Sequence, residues 1–486
     1  MGFWGDRLSP KGLPMINIKF GTSGWRGILA DDFTFANARL VCQAIANFLK
    51  EEGTAPQGVV VAYDTRFLSE AFAAAAAEVM AGNGIPSFFT TRDTPTPVVS
   101  YAIRQAQRGG GINITASHNP SEWNGIKFSP FQGGPAPTPV TSAIEELIRE
   151  ITPKEVKSLP FVEARDRGLI TDIDPRGSYF EHLHKLLDTE ALRQADLKVV
   201  VDVLYGTGRD YLDGFLQDVG VAVEVLHGYR DPLFGGQRPE PSREFLDSLA
   251  EHLRKTGAYL GLAVDADADR FGVMDGEGHY HEANMILGLL FDHLIKTRGW
   301  EGGVARSVAT SHLVDKVAAA YGRPVFETKV GFKFLGEYIL SGQALMVGEE
   351  SEGFSMRDHL PEKDGILACL LVAEMVAKTG KGIPELLEDL FARVGPVHTQ
   401  RLNLSLAPEV KDRLLERLKT PPDKFAGLKV VDHVTIDGHK YLLEDGSWVC
   451  FRPSGTEPVV RFYLEASSPE GLERLRRTGG ALLQDL

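Results

Sequence analysis

Four short segments carry side chains whose types and spacing could do chemistry. The first, Thr115-Ala116-Ser117-His118-Asn119-Pro120, follows the apolar run Gly111-Ile112-Asn113-Ile114. Small residues and a closing proline put the Ser117 hydroxyl at a strand end. There it could accept or donate a phosphoryl group, given access and nearby charge. The same residue types also build a plain turn in which Ser and Asn satisfy the backbone. The second, Asp265-Ala266-Asp267-Ala268-Asp269-Arg270, sets three carboxylates on alternate positions after an apolar run. In an extended loop such side chains can converge on one hard cation. An EF-hand fails on position: counting Asp265 as one, position six is Arg270 where Gly is required, and position twelve is Gly276 where Glu is required. Three protein oxygens leave places open for a phosphate oxygen, which suits magnesium. A solvated acidic turn is the alternative, but it leaves three like charges unrelieved.

The third segment is Gly348-Glu349-Glu350-Ser351-Glu352-Gly353, after Ala344-Leu345-Met346-Val347. Carboxylate and hydroxyl groups between glycines suit sugar hydroxyls, and an acidic surface loop reads the same way. The fourth, Arg452-Pro453-Ser454-Gly455-Thr456-Glu457-Pro458, combines Arg, two hydroxyls and backbone amides around a glycine. Those groups make a phosphate cradle, or a Pro/Gly turn.

The elements around these segments alternate. The runs 58–64, 198–202 and 260–265 are short, apolar and end in Asp; 70–80, 211–218 and 245–255 have helical patterns. Alternation of this kind predicts α/β units with buried, mixed or parallel sheets. Ligands then collect beyond the carboxyl ends of strands, so the Asp-terminated ends are where chemistry is expected. The apolar run Ile366 to Ala377 is broken by Glu374 and is too short to span a bilayer, so it reads as a core helix. Boundaries are expected near 190, 280 and 397, dividing the chain into 1–190, 191–280, 281–397 and 398–486. No internal repeat is visible.

The 486 residues are 43% hydrophobic and 24% charged, enough for three or four domains. A formal net charge of −14 argues against generic binding to nucleic acid or an anionic membrane. Cys42, Cys369 and Cys450 are widely spaced and read as reduced thiols of a cytoplasmic protein. The N-terminus has no signal-peptide pattern. Residues before Met15 read as an extension, with Met15 a possible working start.

Together, in this order, the four segments resemble the α-D-phosphohexomutase superfamily, which includes phosphoglucomutases, phosphomannomutases and phosphoglucosamine mutases. The resemblance extends from Phe20-Gly21-Thr22-Ser23-Gly24-Trp25-Arg26-Gly27 to the fourth segment, over most of the chain. It implies an α/β protein of four domains around a central cleft, three alike with mixed sheets and a smaller C-terminal α+β domain. These would in turn bear the phosphoserine, the metal, the sugar site and the phosphate site. It implies phosphoserine at Ser117. Asp265, Asp267, Asp269 and the seryl phosphate would hold Mg2+, and Glu349 and Ser351 the sugar. Arg452, Ser454, Gly455 and Thr456 would hold the substrate's other phosphate. Arg26, Lys127 and Arg270 match basic positions near the transferring phosphate. His118, Lys127, Lys329 and Lys363 are the candidates for general acid/base.

The implied reaction is interconversion of a hexose 1-phosphate and its 6-phosphate through a glucose 1,6-bisphosphate-type intermediate, with the last domain hinging. Its partners are phosphosugars, and oligomeric state stays open. The third segment is most like the glucose type, with Glu352 where an aromatic is usual. It lacks the Ser-Gly-His ending of phosphomannomutase and phosphoglucosamine mutase loops. The expectation is therefore a phosphoglucomutase with possible phosphomannomutase activity. Phosphoglucosamine mutase, a metal-dependent sugar phosphatase and a silent sugar-phosphate binder are the alternatives.

Overall fold

The computed structural model describes residues 18–21, 24–453 and 459–484. The proposed extension before Met15, and Ser454, Gly455 and Thr456, lie outside these residues. Four sheets follow one another along the chain.

The first sheet has β1 (Trp25–Ile28), β2 (Val59–Tyr63), β3 (Ser87–Thr90), β4 (Gly110–Ile114), β5 (Trp123–Pro130) and β6 (Ile170–Ile173), in the order β1-β5-β4-β2-β3-β6. The second has β7 (Lys198–Asp202), β8 (Ala222–Leu226), β9 (Leu260–Val264), β10 (Phe271–Asp275) and β11 (Tyr280–His281), ordered β11-β10-β9-β7-β8. The third has β12 (Gly303–Ser307), β13 (Val325–Thr328), β14 (Ala344–Glu349) and β15 (Gly353–Met356), ordered β13-β12-β14-β15. The fourth holds β16 (His398–Ser405), β17 (Lys424–Phe425), β18 (Leu428–Val434), β19 (His439–Leu443), β20 (Trp448–Pro453) and β21 (Val459–Ala466), all antiparallel, ordered β16-β21-β20-β19-β18-β17.

A repeat that the sequence does not reveal appears here. Each of the first three sheets contains one four-stranded unit in which the first strand lies parallel to both the second and the third, and the fourth returns antiparallel to the third. The units are β2–β5, β7–β10 and β12–β15. Three of the four chemistry-bearing segments occupy the same place in their units, the connection from third strand to fourth. Pairing is set by backbone hydrogen bonds and buried apolar runs, which many sequences satisfy, so the units match in topology without matching in residues.

The helix Gly365–Thr379 explains its own apolar run. It packs on β9 and β10 of the second sheet, on β15 of the third, and on the helix Ala283–Arg298. A helix covered on every side is hydrophobic all round. One continuous core therefore runs through the second and third sheets, from Val199 and Leu262 to Leu345 and Leu370. The helices Arg176–Leu186 and Thr189–Gln194 begin before residue 190 but send Tyr179, Leu183 and Leu192 into this same core. The charged, proline-bearing stretch 152–171 supplies the helix Phe161–Asp166 and leads into β6, an edge strand with a half-exposed pattern. All three cysteines are buried and free. No described helix is long and apolar enough to cross a membrane.

Candidate active site

The Ser117 loop is held by an arginine that lies outside the four segments. Arg66 is fully buried. Its guanidinium donates to the carbonyls of Ser117, Asn119 (2.6 Å), Pro120 (2.7 Å) and Trp123 (3.0 Å), and Nε to Asp64 Oδ2 at 3.1 Å. Five donors in a fixed fork suit this clamping of a turn. Asp64 also accepts from Ser69 Oγ at 2.7 Å. The Asp at the end of β2 thus serves the scaffold. So does Asp202 at the end of β7, which accepts from Leu204 N and pairs with His227 Nδ1 at 2.8 Å. Of the three strand-terminal Asp residues, Asp265 alone lies, among the described residues, in a cluster of carboxylates able to hold a metal ion.

The clamp keeps Ser117 at φ 51, a left-handed conformation uncommon for a non-glycine residue. Ala268 (φ 57) in the acidic loop and Glu352 (φ 63) in the third segment share that feature. Ser117 Oγ donates to Asp265 Oδ2 at 2.8 Å, which joins the first and second segments. Lys127 Nζ, from β5, lies 2.5 Å from Asp267 Oδ2 and 2.8 Å from Asp269 Oδ2. Thr96 Oγ1 also donates to Asp267 Oδ2 at 2.5 Å. Lys363 Nζ approaches Asp269 from the third domain at 3.1 Å. Asp364, which accepts from Leu367 N at the N-terminus of the core helix, sets that lysine's place. At Gly365 a Cβ would stand 2.2 Å from the Arg270 carbonyl, so only glycine lets the helix start against the acidic loop.

The three Asp carboxylates each offer an oxygen, all within 4.8 Å of one another, and all three residues are buried. Asp267 Oδ1 and Asp269 Oδ1 have no hydrogen-bond partner despite burial. Unpartnered hard oxygens in a dry site fit a hard divalent cation. Burial, Asp267 and Asp269 drive the Asp265 carboxyl well above its ordinary range. Burial tends to lower Lys127, but Asp267 and Asp269 raise it, and the net direction is up. Lys363 follows the same pattern: burial opposes, Asp269 and Glu362 prevail.

Cations crowd the other side of Ser117. Burial, Arg270 and Arg26 hold His118 well below its ordinary range, as a neutral imidazole with Nδ1 3.4 Å from Ser117 Oγ. Arg26 donates to Asn119 Oδ1 at 2.5 Å and is itself lowered by burial and Arg270. Arg270 Nη1 is 3.7 Å from both Glu240 and Glu352, and its buried Nε has no partner. Mutually opposed cations around a hydroxyl suit an incoming anion.

In the third segment Glu349 is buried and accepts from Gly331 N at 2.7 Å; Ser351 beside it is half-buried. Lys329 is exposed in the neighbouring loop, and among the described residues its ammonium makes no bond to the acidic triad. Arg452, next to last in β20, donates Nε to Asp437 Oδ2 at 2.7 Å. The structure therefore gathers Ser117, the triad, Arg26, Arg270, Lys127, Lys363 and His118 in one place. Glu349 and Ser351 belong to the third sheet's connection, and Arg452 to the fourth sheet.

Models of the four phosphoglucomutase/phosphomannomutase domains match in order: alpha/beta/alpha domain I over residues 17–155, domain II over 177–278, domain III over 282–394 and the C-terminal domain over 410–478. The chain belongs to the α-D-phosphohexomutase superfamily. A phosphoglucomutase/phosphomannomutase of Thermococcus kodakarensis is 30% identical over 96% of this chain and 98% of its own. A Methanothermobacter thermautotrophicus protein named "Probable phosphoglucosamine mutase" is 34% identical over 95% and 97%. Among solved structures, one from Thermus thermophilus carrying the name phosphomannomutase superposes with TM-score 0.83 at 34% identity, covering 96% of this chain and 99% of that one. The Paramecium phosphoglucomutase parafusin, 24% identical, shares the fold with TM-score 0.85 over 96% and 94%. This phosphohexomutase is accordingly a metal-dependent intramolecular phosphotransferase of the isomerase class, acting on hexose phosphates.

Proposed function

We propose that the protein is a phosphoglucomutase, interconverting glucose 1-phosphate and glucose 6-phosphate through phospho-Ser117 and bound glucose 1,6-bisphosphate, and also accepting mannose phosphates. The observation that carries this reading is the 2.8 Å bond from Ser117 Oγ to Asp265, which sets the hydroxyl on the acidic triad. The phosphoryl group leaves Ser117 Oγ for the free sugar hydroxyl, whose proton passes to a base while Oγ takes up a proton and ends as a hydroxyl. After the bisphosphate turns over in the cleft, the other phosphoryl returns to Oγ. Asp265, Asp267 and Asp269 would hold Mg2+, which supplies positive charge to the transferring phosphate.

Arg26, Arg270 and Lys127 add fixed charge on the protein side. Lys127 and Lys363 are held as charged donors. Asp265, which accepts the hydroxyl's bond at 2.8 Å, and neutral His118 at 3.4 Å are the groups placed to take a proton at Oγ. Lys329, exposed beside the sugar loop, suits the outer part of the cleft. Glu349 and Ser351 would grip the 3- and 4-hydroxyls and leave position 2 unread, the one position where glucose and mannose differ. Arg452, with Ser454, Gly455 and Thr456, would hold the non-reacting phosphate. Free, buried cysteines and a phosphosugar substrate support a cytoplasmic location.

Relatives named for glucosamine, at 34% and 31% identity, support a second reading, phosphoglucosamine mutase. A coupled assay with Mg2+ and a trace of glucose 1,6-bisphosphate separates the two. Glucose 1-phosphate should turn over fastest, mannose 1-phosphate next. A large preference for glucosamine 1-phosphate would establish the second reading instead. Release of inorganic phosphate in place of the 6-phosphate would make the protein a phosphatase.

A further inference from the structure

The phosphate side and the sugar side of the cleft meet at one carboxylate that none of the four segments contains. Asp437 sits in the turn between β18 and β19. Its Oδ2 accepts Arg452 Nε at 2.7 Å and Val330 N at 3.0 Å. The next amide, Gly331 N, donates to Glu349 Oε1 at 2.7 Å. Arg452 of the last domain and Glu349 of the third are thus joined through two consecutive backbone amides. The turn is shaped for this contact. Gly438 has φ 96, and a Cβ there would stand 2.5 Å from the Phe451 carbonyl and 3.0 Å from Arg452 Cα. Only glycine lets the turn press Asp437 onto the arginine.

We propose that Asp437 is a positioning residue that orients the Arg452 guanidinium and couples the phosphate grip to the sugar grip at Glu349. The proposal rests on the reading of Arg452 as a phosphate ligand. A carboxylate beside a phosphate site repels the ligand, so its presence there needs a compensating role. Engaging Nε fixes the plane of the guanidinium and turns its two Nη groups, the paired donors that match a phosphate, as one unit. Because Asp437 Oδ2 accepts from both Arg452 Nε and Val330 N, the arginine and the adjoining Gly331–Glu349 contact shift together. Asp437 touches no reacting atom and acts through its neighbours.

The test is a double-mutant cycle on the full chain, with glucose 6-phosphate as the calorimetric probe. Asp437→Ala should weaken binding about tenfold in the wild-type background and less than about twofold in Arg452→Ala. Asp437→Asn, of the same shape, guards against misfolding: with an unchanged melting temperature it should raise KM while leaving kcat nearly constant. Equal losses in both backgrounds would overturn the coupling, as would an Asp437→Asn variant with wild-type affinity. Turnover of glucose 1-phosphate is measured alongside. Turnover with additive losses rejects this inference alone, whereas coupling without turnover rejects the glucose mutase reading and leaves the inference standing.

Discussion

At the scale of single residues, charge and burial decide what each group can do. Burial and then Glu350 push the Glu349 carboxyl from an ordinary 4.5 up to about 7. Below 4.5 both folded and unfolded chains hold that proton. Between there and about 7 only the unfolded chain releases it, so the folded state loses stability as pH rises through this window. Glu349→Gln removes the effect. Its urea midpoint, relative to wild type, should therefore rise from about pH 5 to about pH 8; a constant difference would mean that Glu349 is not perturbed. Ser117, the triad and Glu349 stand out in the sequence as candidates because the chemistry proposed for them would demand those residue types at those spacings. Arg66 and Asp437 do not. Arg66 acts through Asp64 and backbone carbonyls, Asp437 through Arg452 and a backbone amide, and none of these side chains alone is unusual in a sequence. The one available signal for Arg66 is the strand-terminal Asp64 two residues before it, which reads as a chemical group in the sequence and serves the scaffold in the structure.

At the scale of elements, the site depends on where strands end and helices begin. The connection from third strand to fourth presents Ser117, the acidic triad and the Glu349 segment in three successive units. Alternating apolar runs announce the strands and the α/β class. They cannot announce the repeat, because pairing order is long-range and leaves no local mark. The edge strand β6 escapes notice for a related reason: with one side exposed, it lacks a continuous apolar run. The start of the core helix is the tightest joint. A methyl at Gly365 would collide with the Arg270 carbonyl at 2.2 Å, moving Lys363 and the acidic loop apart. Gly365→Ala should fold yet lose about a hundredfold in kcat/KM. Full activity in that variant would show that the joint does not set the site.

At the scale of the whole molecule, the protein brings its chemical groups together from separate sheets. The first gives Ser117 and Lys127, the second the triad, the third Lys363 and Glu349, and the fourth Arg452. The first and second meet in the ion pairs of Lys127 with Asp267 and Asp269, and the three clustered carboxylates suit a bound cation. Chelation with EDTA should abolish activity, and Mg2+ at about a hundred times its Kd should restore it and stabilise the fold by about 2.7 kcal/mol. Asp267→Asn should blunt that thermal shift, and an unchanged shift would move the metal elsewhere. The central claim is that Ser117 carries the phosphoryl group, and peptide mass spectrometry tests it most directly. After incubation with glucose 1,6-bisphosphate and Mg2+, one phosphate should sit on Ser117 and pass to glucose 1-phosphate when that is added. Phosphate on another residue, or an unmodified chain that still turns over substrate, would contradict the account.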